Sequence, residues 1–404
     1  MRTPEIDDYF LSSRRTLLRA LATGLTLVPF LNSSLFGQLD LREISTHDAN
    51  NDAKIKLKSS SHKKKKLSEK KIEETTSGSP KSETGEPERP ETDEPVTDES
   101  EKTEPNPQQS GGPVFTHPTR TKYRIGLSLE ARPNGECNDV FGSVPFPMSF
   151  PDQKVRIIED EHSDLVKIRY RDLKEGGCRQ LLIRIKTLYP GEKADAIVTV
   201  ELTRFNIAPP ESPYDYVIPK SVPKNIREYL SESPYIETTN AKIKKTAKKV
   251  VSDDDKDWRK VENILRFVRE SIKYKEAYKE KPVRGALAAL ETGEGDCEDL
   301  STLFIALCRI NGIPARTVRV PEHCWAEFYL EDSAKNGYWF PAQVAGNEPL
   351  GYSSDHRMIL QKGDAFRIPE SRREISRYVV ELFTGKVKQS GADPIHRFVR
   401  EEVR

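Results

Sequence analysis

GDCEDLSTLFIALCRINGIPARTVRV, residues 295–320, decides how the rest of the chain is read. Leu300, Leu303, Phe304 and Leu307 recur at helical spacing, which predicts a helix beginning at Cys297. Gly312 stands where a helix end uses a left-handed residue, and Pro314 prevents resumption. ARTVRV then alternates and reads as a strand. Cys297 therefore lies in the first turn, where unpaired N–H groups and the macrodipole favour an anion. Gly293 and Gly295 leave its approach uncrowded. Glu294, Asp296, Glu298 and Asp299 oppose this, because nearby anions disfavour the thiolate that makes cysteine nucleophilic.

Just downstream, HCWAEFYL (residues 323–330) alternates as a second strand. Period two places His323, Trp325, Glu327 and Tyr329 on one face and Cys324, Ala326, Phe328 and Leu330 on the other. Cys324 is accordingly expected in the core, away from any site His323 serves. If this strand packs beside the start of the Cys297 helix, His323 becomes a base and ion-pair partner for the thiol. Taken alone, one cysteine and one histidine fit an ordinary buried cysteine better than a catalytic one.

The ordered series Gly295-Asp296-Cys297-Glu298-Asp299, Gly312-Ile313-Pro314-Ala315-Arg316 and His323-Cys324-Trp325-Ala326-Glu327 resembles the core of the transglutaminase-like superfamily. The likeness covers about residues 255–345, with VENILRFVRESIKY as the preceding helix. It implies an α+β fold with a papain-like core: a helix bearing the cysteine packed on an antiparallel sheet. It also implies Cys297 as nucleophile and His323 as base in thioester chemistry at an amide. The family's third residue is an aspartate four after a tryptophan; counting from Trp339 gives Gln343. A neutral amide can still orient imidazole, but it cannot lend imidazolium a full charge. Asp355, Asp364 and Glu327 are the carboxylates that could stand in.

Upstream, YRIGLSLEAR, KVRIIED, LVKIRYRDL, LLIRIKTL and AIVTVELTRF alternate without helical spacing between them, predicting an antiparallel β domain over 120–208. The transglutaminase-like domain is expected over 222–370 and a tail over 371–404. Residues 38–119 are charged and rich in Pro and Ser, too poor in apolar groups to offset ordering entropy, and read as a disordered linker. Arg14 and Arg15 before an apolar stretch, Leu17–Leu31, resemble a twin-arginine export signal over 1–37. That predicts a periplasmic or otherwise extracytoplasmic protein, with membrane or cell-envelope association through the N-terminal segment.

A net charge of +1 argues against nucleic acid as a partner. Five scattered cysteines without a CxxC make neither a zinc ribbon nor a disulfide framework. No metal or other cofactor is expected, and the partner is a protein or peptide substrate. Three readings stay open: acyl transfer or hydrolysis at an amide, a cysteine peptidase or amidase acting on envelope peptides, and a binding or scaffold module with weakened chemistry.

Overall fold

The computed structural model describes residues 111–403, except 174–176, 280–281, 372–373 and 389–390. The expected export signal and most of the linker lie outside the described residues.

The alternating runs form six strands: β1 (Val114–Glu130), β2 (Cys137–Phe146), β3 (Gln153–His162), β4 (Val166–Leu173), β5 (Cys178–Leu188) and β6 (Lys193–Ala208). In β6 the period-two set Ala194, Ala196, Val198, Val200 and Leu202 is buried, as half-covered strands require. β1 starts inside the segment expected to be linker: Val114, Phe115 and Thr116 already pair with β6. A register shift between Thr116 and Thr119, with His117 at φ +50°, absorbs Pro118 and lets the threonine-rich run join the sheet.

Helices follow: α1 (Lys224–Arg227), α2 (Ala241–Val250) and α3 (Asp257–Ser271). α3 buries Trp258, Val261, Ile264, Leu265 and Val268, the face its spacing predicts. Just before it, the Asp255 carboxylate accepts from Ser252 N–H and Asn263 Nδ2. Next come β7 (Lys273–Tyr274), α4 (Ala286–Thr292), β8 (Glu294–Gly295, parallel to β7) and α5 (Cys297–Ile310). β9 (Ala315–Val320), β10 (His323–Glu331) and β11 (Gly337–Ala342) form a meander. The remaining strands are β12 (Gln361–Lys362), β13 (Phe366–Arg367), β14 (Ile375–Ser376), β15 (Leu382–Val387) and β16 (Ile395–Val403).

One sheet runs β16-β1-β6-β3. A second runs β11-β10-β9-β12-β5-β2-β15, with β4 also on β5, so β12 splices the core meander to the β domain. Residues 371–404 are therefore no tail, since β15 and β16 add a strand to each sheet. Their signal is weak in sequence because only Val399 of β16 is fully buried and charges flank it. The β-domain core fills the space between sheets with Leu127, Ile183, Val198 and neighbours. The other core packs α3 and α5 on β10 and β11, centred on Trp258, Phe304, Phe328 and Phe340. α5 is buried on nearly every side, so the thiol at its start is fixed by close packing around its helix. The molecule is α+β, with a β domain preceding a helix-on-antiparallel-sheet core.

Candidate active site

Asp296 is the N-cap of α5, its carboxylate accepting from Glu298 N–H at 3.0 Å and Asp299 N–H at 3.2 Å. That leaves Cys297 at the first helical position and 3% exposed. Gly295 is needed beside it, because a Cβ there would lie 2.5 Å from Asp299 Cβ.

His323 opens β10 after Glu322, a turn residue with φ +61°. Its imidazole interacts electrostatically with the Cys297 thiol on one side. On the other, Nε2 meets Gln343 Oε1 at 3.2 Å, just past the end of β11. The structure thus brings together Cys297, His323 and Gln343 in that order. Gln343 Nε2 donates in turn to Ser353 Oγ at 3.0 Å.

Cys324 corrects the alternation reading. The face holding Cys324, Ala326, Phe328 and Leu330 is the one on which α5 packs, so Cys324 lies against the start of that helix. Its thiol and backbone N–H lie close enough to stabilise a charge on Cys297. These influences, led by the Cys324 thiol and joined by His323, overcome burial and push the Cys297 thiol down to about 4. Cys324 itself, fully buried and facing an anion, is shifted well upward. Burial pulls His323 down, but its interaction with Cys297 and that thiolate's charge raise it above its ordinary value. A thiolate–imidazolium pair is the state this geometry favours.

Three of the four opposing acids are paired with a cation. Asp299 pairs with Arg284 at 2.7 Å, while Asp296 does the capping. Glu298 accepts from Arg377 at 3.2 Å and from the Tyr378 hydroxyl. Glu294 pairs with Lys275 at 3.0 Å. Asp296, where burial dominates and the Cys297 charge adds to it, is pushed up to about 6. Arg284, Arg377 and Tyr378 had no periodic signature, being brought in from distant segments.

Of the carboxylates that could replace a third acid, Glu327 is taken by Arg316 and Lys362 at 2.7 Å each. Asp364 is taken by buried Arg309 at 2.8 Å. Asp355 is held by Arg357, yet both reach the site electrostatically, Asp355 through His323 and Arg357 through Cys297. Neither Asp355 nor Asp364 displaces Gln343 from His323. Tyr274, 38% exposed, feels the Cys297 charge at the rim. Among the described residues no group of three or more His, Cys, Asp or Glu is set to hold a metal, and all five cysteines are free. No described helix is long and apolar enough to cross a membrane.

The profile of the transglutaminase-like superfamily matches residues 244–344. No curated protein matches the chain. Among solved structures, a candidate cysteine protease from Cytophaga hutchinsonii is similar at 15% identity and TM-score 0.47, over 72% of this chain and 94% of that one. A candidate protease from Parabacteroides distasonis is similar at 12% identity and TM-score 0.23, over 58% of this chain and 44% of that one.

Proposed function

We propose that this chain, whose residues 244–344 form a domain of the transglutaminase-like superfamily, is an exported thiol enzyme acting on a protein or peptide amide. The observation that carries the reading is the line Cys297–His323–Gln343, with the thiol at a helix N-terminus.

The Cys297 thiolate attacks the amide carbon, forming a C–S bond and placing negative charge on the carbonyl oxygen. The Cys297 backbone N–H is one of the donors that intrahelical bonding leaves open, and it serves that oxyanion. His323 gives its proton to the departing nitrogen as the C–N bond breaks, leaving a thioester and a free amine. An incoming amine or water then attacks the thioester; His323 takes its proton and Cys297 leaves as thiolate. An amine acceptor makes the enzyme a transferase, and water makes it a peptidase or amidase. Gln343 keeps the imidazole turned toward sulfur throughout.

Purified protein is incubated with a glutamine-containing protein, with and without a labelled primary amine, and compared with Cys297→Ala. The expected result is amide consumption that depends on Cys297, with the label partitioning the two acceptors. Wild type indistinguishable from Cys297→Ala on all amide substrates, with and without amine, defeats the reading. That outcome favours a binding module, for which the neutral Gln343 in place of a carboxylate is the specific pointer. An extracytoplasmic location belongs to the same proposal and rests on Arg14, Arg15 and the apolar stretch after them. Fractionation of cells expressing the Arg14→Lys, Arg15→Lys variant should leave it in the cytoplasm.

A further inference from the structure

We propose that the outer face of β4 and β5 is a docking trough for an extended acidic segment of a partner protein. The inference goes beyond the thiol chemistry and does not depend on it.

Ile168 and Tyr170 of β4 turn toward the β-domain core, as do Leu181, Ile183 and Ile185 of β5. Alternation therefore sends Lys167, Arg169 and Arg171 to the opposite face, with Leu182, Arg184 and Lys186 beside them. Two cavities lie side by side there, of about 620 Å³ and about 290 Å³, and Lys167 and Arg184 line both. Arg171 is held by Glu370 at 2.6 Å. Among the described residues Lys167, Arg169, Arg184 and Lys186 make no ion pair, whereas Arg124, Arg156 and Arg179 of the same domain each do.

The register makes this arrangement costly. Lys167 stands directly opposite Arg184, and like charges so placed repel. Arg184 is not free to turn aside, since its guanidinium lies over the Phe141 ring, 5.1 Å from the centroid. Charges that guard a sheet edge against pairing account for Lys167 and Arg169, because β4 pairs only with β5. They do not account for Arg184 and Lys186, since β5 has β2 on its other side. An anion shared between the two strands answers both.

Three features select the class of partner. The trough is concave, so it suits a chain better than a flat lipid surface. Lys167 and Arg169 are two residues apart on a strand, about 7 Å, the repeat of alternate side chains in an extended peptide. The side of β4 away from β5 bonds no strand among the described residues, which leaves its main chain to pair with such a peptide. Acidic side chains at alternate positions then face Lys167 and Arg169 as cross-strand pairs of opposite charge.

Fluorescence anisotropy with a labelled peptide of alternating Glu and Thr tests this on the purified full chain. The comparison is a peptide of the same composition with its glutamates in one block. Wild type should prefer the alternating peptide, and Lys167→Gln with Arg169→Gln should weaken its binding about tenfold. Arg184→Gln should weaken it as well, whereas Arg397→Gln, which removes an exposed cation of β16, should not. Lys167→Gln relieves the repulsion with Arg184, so its melting temperature should not fall below wild type, and lost docking is told apart from lost fold. Equal affinity for the two peptides, or unchanged binding in the double variant, overturns the proposal. Binding to phosphatidylglycerol vesicles but not to the peptide, abolished by the same substitutions, also overturns it and assigns the face to lipid.

Discussion

Cys297 carries its charge in spite of its neighbours in sequence, and the reason lies in the donors aimed at sulfur. The Cys324 thiol contributes most, His323 and the Cys324 backbone N–H add to it, and burial opposes all three. The sign follows. The thiolate is present above about pH 4, and the ion pair persists until pH passes the raised value of His323. Alkylation should therefore already be fast at pH 5 to 6, where an ordinary thiol of pKa about 8.5 is almost wholly protonated. Cys324→Ala should raise the inflection by about one unit or more while leaving the backbone donor, and His323→Ala should also raise it. Mass spectrometry of the alkylated Cys297 peptide across pH checks both. A Cys324→Ala profile matching wild type would show that the second thiol is only packing.

At the scale of elements, the start of α5 is an anion site built among anions. Arg284, from the turn before α4, covers Asp299; Arg377, from the segment after β14, covers Glu298. Asp299 is 2% exposed, so removing its partner strands a buried charge. Arg284→Met should cost about 3–5 kcal/mol in urea unfolding, and Arg284→Met with Asp299→Leu should recover most of it. These pairs explain what could be read in advance. The α5 period, the left-handed Gly312 at φ +77°, and the position of Gln343 relative to Trp339 are local features, legible from spacing. Alternation assigned Cys324 to the right face of β10; what it could not say was that α5 begins over that face. Arg284, Arg377 and Ser353 lie 13 or more positions from Cys297, and no periodicity records who closes on whom after folding. The strand β16 is illegible in sequence for a related reason, since an edge strand buried at one residue shows little hydrophobic alternation.

Across the whole molecule, the β domain and the helical core are joined by charges as well as by β12. Arg204 on β6 is 1% exposed, paired to Asp152 at 3.0 Å, and Asp152 meets Lys362 at 2.8 Å. Lys362 continues to Glu327, and Glu327 to Arg316, so the seam is a buried ladder of alternating sign. Burial alone would raise Asp152, but Lys362 and Arg204 hold it at about 2. A depressed carboxylate adds stability above its unfolded value of about 3.9 and loses it as pH falls through about 2, here on the order of 2 kcal/mol. Arg204 also donates Nη2 to the carbonyl of Asp355 at 2.8 Å and Nε to that of Arg357 at 3.1 Å. Those residues follow Ser353 directly, so the guanidinium fork buttresses the loop behind Gln343. Arg204→Lys keeps the charge but cannot span Asp152, Asp355 and Arg357 in a plane. It should retain Asp152's pairing, and with it most acid resistance, yet loosen the loop. Arg204→Met loses both and leaves the buried Asp152 with Lys362 alone, lowering the melting temperature by roughly 5 °C at neutral pH. Thermal melts at pH 3 and pH 7, with Cys297 alkylation read alongside, separate the two roles. If Arg204→Lys leaves the alkylation profile untouched, the seam holds the domains together without reaching the imidazole.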